Sequence, residues 1–407
     1  MSGSSEDNTE SINYIGFTQD SKVICVGHKE GYMFYKTAEI LDNSTLSYEG
    51  EYSTQPELSN CLIIERLFSS ALMVVISQKD PRVLHVYHFT SKNIICDHRF
   101  NKSVLTVRLN RDRIVVCLEN CIYIYNLKDM KNVHNIMDTP MNKLGVLDLT
   151  SSSGNALIAF PGSTDTGSVH LFDAINLSPV KTFVAHEGTL ACLKFNQEGS
   201  MIATASIKGT VIRVYSVPQG NRLFEFRRGV SRCVHIYSLG FSADSKYLAS
   251  SSNTETIHVF KLEKTEGADK KPETATESGG WLEAINKTFS AYIPTQVGEL
   301  MTTERSFATA KLPGVTRTNQ VSLISHKNQQ YVMAATSDGF VYAYRLDPEG
   351  GELDLIKQHR IGPKSETSRS SSGSGSGGVS KNSEANNQVV PNMDDPDDFP
   401  PMSHSSG

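Results

Sequence analysis

Seven stretches of this chain follow one pattern: a polar turn, a short apolar strand, a small-residue or glycine turn, then a strand closing on an aromatic. They are "GFTQDSKVICVGHKEGYMFY", "FSSALMVVISQKDPRVLHVY", "LNRDRIVVCLENCIYIY", "GNALIAFPGSTDTGSVHLF", "KFNQEGSMIATASIKGTVIRVY", "GFSADSKYLASSSNTETIHVF" and "NQQYVMAATSDGFVYAY". The closing aromatics are Tyr35, Tyr87, Tyr125, Phe172, Tyr215, Phe260 and Tyr344, spaced 52, 38, 47, 43, 45 and 84 residues apart. A period near 40 to 45 with several strands per unit marks a β-propeller, whose units bury their faces only against one another. The interval of 84 holds one ordinary repeat plus an insertion of comparable length. An all-β, seven-bladed propeller over residues 11–362 is therefore expected. A β-sandwich array is the alternative, but seven units without linkers between them favour a closed ring. A WD dipeptide is excluded, since the one tryptophan, Trp281, precedes Leu282.

Residues 1–10 and 363–407 lie outside the repeat. The first are polar and acidic, without the basic and apolar regions of a signal peptide, and are expected to be flexible. The last are Ser/Gly-rich, then acidic, and are expected to be a disordered tail. The chain has no apolar run of 18 residues, so no membrane-spanning helix is expected. Its seven cysteines contain no CxxC pair and sit mostly in apolar runs, as buried small hydrophobes of a cytosolic protein do. The formal net charge is −5, which argues against bulk polyanion or nucleic-acid binding. Attraction to an anion must then come from local placement of charge.

The insertion, bounded at residues 263–318, opens as a polar tether and continues as "WLEAINKTFSAYIPTQVGELMTTERSFATAKLPG". Trp281, Leu282, Ile285, Phe289, Tyr292 and Ile293 form one apolar stripe at helical spacing, which Pro294 would end. Further apolar residues, among them Phe307 and Leu312, follow. Two readings stand: a segment folded back on the propeller, or an amphipathic wedge for a membrane interface. The charges within 281–312 balance, so lipid attraction would have to be apolar.

In "RLFEFRRGVSR" two arginines stand at the end of a strand that Gly229 closes. Neighbouring side chains of a strand leave on opposite faces, so Arg227 and Arg228 are poorly placed to serve one ligand. Arginine's planar fork suits bidentate phosphate contact. Polar residues gather in the flanking repeats: His186, Thr204, Ser206, Lys208, Thr210 and Arg213 before the pair, then Arg232, Ser250, Ser251, Ser252, Asn253, Thr254, Thr256 and His258. Such residues also satisfy backbone groups at blade turns, and paired arginines also form surface ion pairs of small worth. The residues alone leave an anion site and a plain blade edge both open.

"LFEFRRG", set between "AHEGTLACLKFNQEGSMIATASIKGTVIRVYSV" and "YSLGFSADSKYLASSSNTETIHVFKLEK", resembles the signature of the PROPPIN family, the WIPI-type phosphoinositide-binding propellers of autophagy. The likeness spans about residues 11–362 and includes "NRDRIVVCLENCIYIYNLKDMK" and "AYIPTQVGELMTTERSFATAKLP". It implies binding of phosphatidylinositol 3-phosphate and phosphatidylinositol 3,5-bisphosphate in two pockets on the rim of blades 5 and 6. Carried over by motif, the first pocket comprises His186, Ser206, Thr210 and Arg227, with Lys208 and Arg213 beside them. The second comprises Arg228, Arg232, Ser252, Thr254, Thr256 and His258. The insertion corresponds to the family's membrane-inserting loop of blade 6, with Trp281, Ile285, Phe289, Tyr292 and Ile293 as its apolar contacts.

The resemblance further implies recruitment of autophagy conjugation or lipid-transfer proteins, with no cofactor and no nucleic acid. A basic surface between blades 2 and 3, with Arg108, Arg111, Arg113, Lys128 and Lys131, suits an acidic partner helix. The expected protein is a monomer in solution, cytoplasmic and peripheral on phosphoinositide-bearing autophagosomal and endosomal membranes. An enzyme is not expected, since no GxSxG, HExxH or recurring carboxylate cluster is present. The rival reading is a protein-interaction propeller that grips acidic peptides irrespective of lipid.

Overall fold

A computed structural model describes residues 12–52, 55–152, 154–228, 233–263 and 305–363. They form seven antiparallel sheets of four strands, one with an added short strand, in chain order around a central axis: a seven-bladed β-propeller. Blade 1 runs from Ile12–Phe17 to Glu49–Tyr52, and blade 7 from Asn319–His326 to Leu355–Arg360. Strands are short and rich in Val, Ile, Tyr and Phe, as in "VICVGH", "LMVVIS" and "VIRVYS". Such residues suit a surface packed on both faces.

Seven apolar clusters fill the seven seams between blades, and the repeated aromatic explains why the repeat exists. Each sits near the end of its blade's third strand and is 7% exposed or less. Each packs into the seam with the preceding blade. Tyr87 joins the cluster shared with blade 1, Tyr125 that with blade 2, and Phe172 that with blade 3. Tyr215, Phe260 and Tyr344 do the same against blades 4, 5 and 6. Tyr35 closes the ring by packing with Ile324, Met333 and Val341 of blade 7. Burying one such ring contributes about 2–3 kcal/mol, so the seven aromatics are a large part of what holds blade to blade.

The ring closes between two complete blades rather than by a strand shared between the chain's ends. The seam of blades 7 and 1 is tied by the Gly362 amide donating to the Tyr35 hydroxyl at 2.9 Å and by Ser322 Oγ donating to Ser21 Oγ at 2.6 Å. His359 Nε2 donates to the Ile40 carbonyl at 3.1 Å, and Asp42 accepts from His326 and Lys327. Ile40 and Asp42 belong to the short helix Thr37–Asp42.

The insertion is shorter than its expected bounds of 263–318. "ATAK", Ala308–Lys311, is the fourth strand of blade 6, paired with Thr256–Lys261, and Gly351–Glu352 adds a short parallel strand outside it. Ala308, Ala310 and Leu312 are buried, and Phe307 packs against the same cluster. Phe307 and Leu312 therefore belong to the core, not to a membrane-contacting set. The intervening chain leaves from the end of the third strand and returns to the start of the fourth. Trp281, Ile285, Phe289, Tyr292 and Ile293 lie outside the described residues, as do residues 1–11 and 364–407.

The innermost strands of all seven blades line a central channel of about 270 Å³. Polar groups link five consecutive blades around it. Tyr14 donates to Glu65 at 3.0 Å, Glu65 pairs with Arg108 at 2.5 Å, Arg108 reaches Asp148 at 3.5 Å, and Lys194 meets Asp148 at 3.4 Å. Burial pushes the Glu65 carboxyl up, against the opposing pull of Arg108.

Candidate functional site

Six strands and the turns between them bring the polar residues around the arginine pair together. In blade 5, Met201–Ser206 pairs with Val211–Ser216, which pairs with Arg222–Arg227. The last strand sets Arg227 opposite Val211 and Glu225 opposite Arg213. Side chains alternate across a strand, so Phe224 and Phe226 face blade 6 while Glu225 and Arg227 face blade 4. The strand ends at Arg227. Arg228 is the first residue beyond it, its amide donating to the Thr210 carbonyl at 3.1 Å.

The turn carrying Lys208 and Gly209 is held against the start of blade 6. Gly209 has φ +62°, and a Cβ there would stand 2.0 Å from the Val234 carbonyl oxygen. No other residue fits this approach. The Val234 amide donates to the Lys208 carbonyl at 3.1 Å, fixing the turn from Ser206 to Thr210 across the seam.

Between blades 4 and 5, His186 Nε2 and Thr204 Oγ1 share a hydrogen bond of 2.8 Å. The Thr204 hydroxyl also lies 3.3 Å from the Arg213 carbonyl, to which it donates, so the imidazole N–H is the donor to Thr204. Arg213 donates to the Ala185 carbonyl at 2.6 Å and to Glu225 at 2.7 Å, and Arg222 also reaches Glu225 at 2.7 Å. Burial opposes ionisation of Glu225. Hydrogen bonding from Arg213 and the charges of Arg213, Arg222 and Arg227 prevail and hold its carboxyl below the usual range. Burial, then the Arg213 charge, lowers His186 to about 4, so its ring is neutral near pH 7. Ser206 is buried on the same strand face as Thr204, and Thr210 is half-buried on the turn.

Between blades 5 and 6, Arg228 donates to Ser252 Oγ at 2.7 Å and to Thr254 Oγ1, and these two hydroxyls lie 3.0 Å apart. His258 stands opposite Ser250 on the neighbouring strand, with Thr256 two residues before it at the strand's start. Burial, then the Arg228 charge, lowers His258 to about 4. Its Nδ1 and Ser250 Oγ are buried without a hydrogen-bond partner among the described residues. Orphaned polar atoms of this kind are uncommon in a packed seam. Arg232 lies outside the described residues.

The structure thus divides the expected set between two neighbouring seams. His186, Ser206, Thr210 and Arg227 border one, and Arg228, Ser252, Thr254, Thr256 and His258 border the other. Reading the sequence left Glu225 out of the first group. Its signal is alternation within "LFEF", which sets it on the face of Arg213.

The basic residues expected to share a surface between blades 2 and 3 do not. Arg108 alternates with buried Val107 and Leu109 on the innermost strand of blade 3, so it points into the channel, against Glu65 and Asp148. Arg111 stacks over Phe68 of blade 2, 4.6 Å from the ring centre, and does mark that seam. Arg113 donates to the Ala174 carbonyl at 2.8 Å, across the opposite seam with blade 4. Lys128 lies in the turn leading to the outer strand Asn132–Ile136, its amide donating to Asn126 Oδ1.

Comparison with known proteins agrees with this architecture. The chain is 84% identical over 407 residues to autophagy-related protein 18 of Caenorhabditis elegans, covering 99% of each. It is 43% identical over 367 residues to WD repeat domain phosphoinositide-interacting protein 2 of Mus musculus, covering 90% of this chain and 81% of that one. Among solved structures, Kluyveromyces lactis Hsv2 superposes with a TM-score of 0.64 at 20% identity, over 86% of this chain and 99% of that one. A complex of KlAtg21 with the coiled coil of AgAtg16 superposes at 0.66 and 22% identity, over 86% and 100%. These two likenesses speak to the fold. The PROPPIN family model matches residues 11–362, from the first strand of blade 1 to the close of blade 7. With that match and these identities, the chain belongs to the PROPPIN family.

Proposed function

We propose that this protein is a peripheral membrane scaffold of autophagy that binds phosphatidylinositol 3-phosphate and phosphatidylinositol 3,5-bisphosphate through its two seams. The observation that carries the reading is the sorting of two adjacent arginines. Arg227 ends a strand on the face of Arg213 and Glu225, while Arg228 turns into the next seam to meet Ser252 and Thr254. Each seam then receives one arginine of the pair beside hydroxyl donors and a neutral imidazole, a set that matches a phosphorylated polyol. The mouse relative at 43% identity is named for interaction with phosphoinositides, and the worm relative at 84% for autophagy.

Two headgroups held by one rigid edge raise each other's effective concentration, so two weak pockets give firm attachment. Apolar burial by the blade 6 insertion, through Trp281, Ile285, Phe289, Tyr292 and Ile293, supplies a second kind of anchor. The remaining faces are left for protein partners. Of the basic residues, Arg111 is the one positioned for an acidic helix at blades 2 and 3, and the KlAtg21 neighbour is a complex with a coiled coil.

The test is vesicle co-flotation with and without phosphatidylinositol 3-phosphate, comparing the wild type with the Arg227→Thr/Arg228→Thr variant, both checked for folding by circular dichroism. Lipid-dependent flotation abolished in the folded variant is the expected result. Equal flotation of both proteins, or indifference of the wild type to the lipid, would refute it. Retained binding to acidic peptides in that case would favour the lipid-independent interaction module.

A further inference from the structure

Exposed apolar side chains scattered singly over a surface need no explanation. Ile207 and Val315 are not scattered. Ile207 is 52% exposed and follows Ser206 directly, in the turn between the second and third strands of blade 5. Val315 is 65% exposed and precedes Thr316, whose hydroxyl accepts from Asn319 Nδ2 at 3.1 Å. The same Asn319 amide reaches the carbonyl of Ser252 at 3.5 Å. One aliphatic tip thus adjoins Ser206 of the first candidate pocket in sequence, and the other is tied to Ser252 of the second through Thr316 and Asn319. Each tip also has an exposed cation next to it, Lys208 after Ile207 and Arg317 two residues after Val315.

Both tips stand at the same end of the ring. In a four-stranded antiparallel blade, the turn between strands two and three and the link to the next blade emerge on one side. Ile207 is in the former and Val315 in the latter, and Arg228 leaves blade 5 on that side too. The insertion departs from the other end of blade 6, beyond Lys261. That point is five residues along the strand from Thr256, roughly 17 Å away at strand rise.

We propose that Ile207 and Val315 enter the interfacial layer of a lipid bilayer, each beside one headgroup pocket, with Lys208 and Arg317 against lipid phosphates. The inference rests on the two-seam reading above and adds a contact surface to it. Aliphatic tips flanked by cations have the chemistry of an interfacial contact, in which apolar burial and attraction to anionic lipid act together. They orient the rim so that both headgroups are engaged at once, and they act only when the headgroup belongs to a membrane.

That last property gives the test. The wild type, the Ile207→Asp/Val315→Asp variant and the control Ile95→Asp are compared on two ligands. Ile95 is an exposed aliphatic on the outer strand of blade 2, remote in the ring from both seams. One ligand is the soluble headgroup inositol 1,3-bisphosphate, read by calorimetry. The other is phosphatidylcholine vesicles with and without phosphatidylinositol 3-phosphate, read by flotation titration. The expected result is unchanged soluble-headgroup affinity in all three proteins, with vesicle affinity about thirtyfold weaker in the double variant only. A Val315→Trp variant, which keeps an apolar tip, should bind vesicles a few-fold tighter than wild type. Full vesicle binding by the double variant overturns the inference and leaves the pockets standing. Parallel loss of soluble headgroup overturns it too, by making the tips part of the pockets. A wild type that binds neither ligand removes the pockets and the inference together.

Discussion

The two seams flanking the arginine pair are built from similar residues but are satisfied differently. Between blades 4 and 5, the polar side chains largely answer one another: His186 bonds Thr204, and Arg213 bonds Glu225 and the Ala185 carbonyl. Between blades 5 and 6, Arg228 donates to the neutral hydroxyls of Ser252 and Thr254, and His258 Nδ1 and Ser250 Oγ are buried without a hydrogen-bond partner among the described residues. A phosphate entering the first seam competes with a carboxylate already in place. One entering the second meets a guanidinium held by groups that give way at small cost. The second seam should therefore dominate headgroup affinity and the first should tune it.

The largest effect expected is one the seams share. His186 and His258 both stand near 4 in the folded protein, against about 6.5 when unfolded. Between those values the unfolded chain holds the extra proton. The stability each neutral ring contributes is thus complete above pH 6.5 and is lost as pH falls toward 4, by up to roughly 3 kcal/mol per ring. Melting temperature against pH should fall over this window, and His186→Gln or His258→Gln should each flatten the curve. A flat wild-type profile would show that the imidazoles are not buried neutral.

Single substitutions should then separate the seams. Arg228→Thr is expected to weaken vesicle binding about thirtyfold, the worth of a charged hydrogen-bonding group, and Arg227→Thr only about fivefold. The reverse order, measured by flotation titration, would overturn the ranking. The smallest effect sharpens it: Glu225→Gln removes the internal competitor and should tighten soluble-headgroup binding about threefold, visible by calorimetry. A loss of affinity instead would mean that Glu225 serves by holding Arg213 in position.

The seven blades could be read from the sequence because one physical requirement recurs: a large aromatic on the third strand to fill each seam. The split of Arg227 from Arg228 could be read as well, since it needs only strand alternation. Two features escaped for equally local reasons. "ATAKL" carries one β-branched residue, Thr309, and no aromatic, too weak a strand signal, although Ala308, Ala310 and Leu312 do alternate. "RLNRDR" reads as one basic patch because charge in sequence says nothing of side. Only knowing that Thr106–Leu109 is the innermost strand sends Arg108 to the channel, with Arg111 and Arg113 to opposite seams. Glu65 and Asp148, its partners, are 43 and 40 residues away, and nothing local pairs them.

The closure of the ring between two whole blades has a topological consequence. Gly362 lies against Ile12, so close that a Cβ on Gly362 would stand 2.9 Å from Ile12 Cδ1. The start of the first strand and the end of the last lie side by side, and among the described residues no blade borrows a strand from the far terminus. Any link between blades is then an equivalent place for the chain to begin. A circular permutant with the propeller ends joined by a short linker and reopened between blades 2 and 3 should assemble the same ring. The order of blades in space matters to this architecture, and which blade is translated first does not.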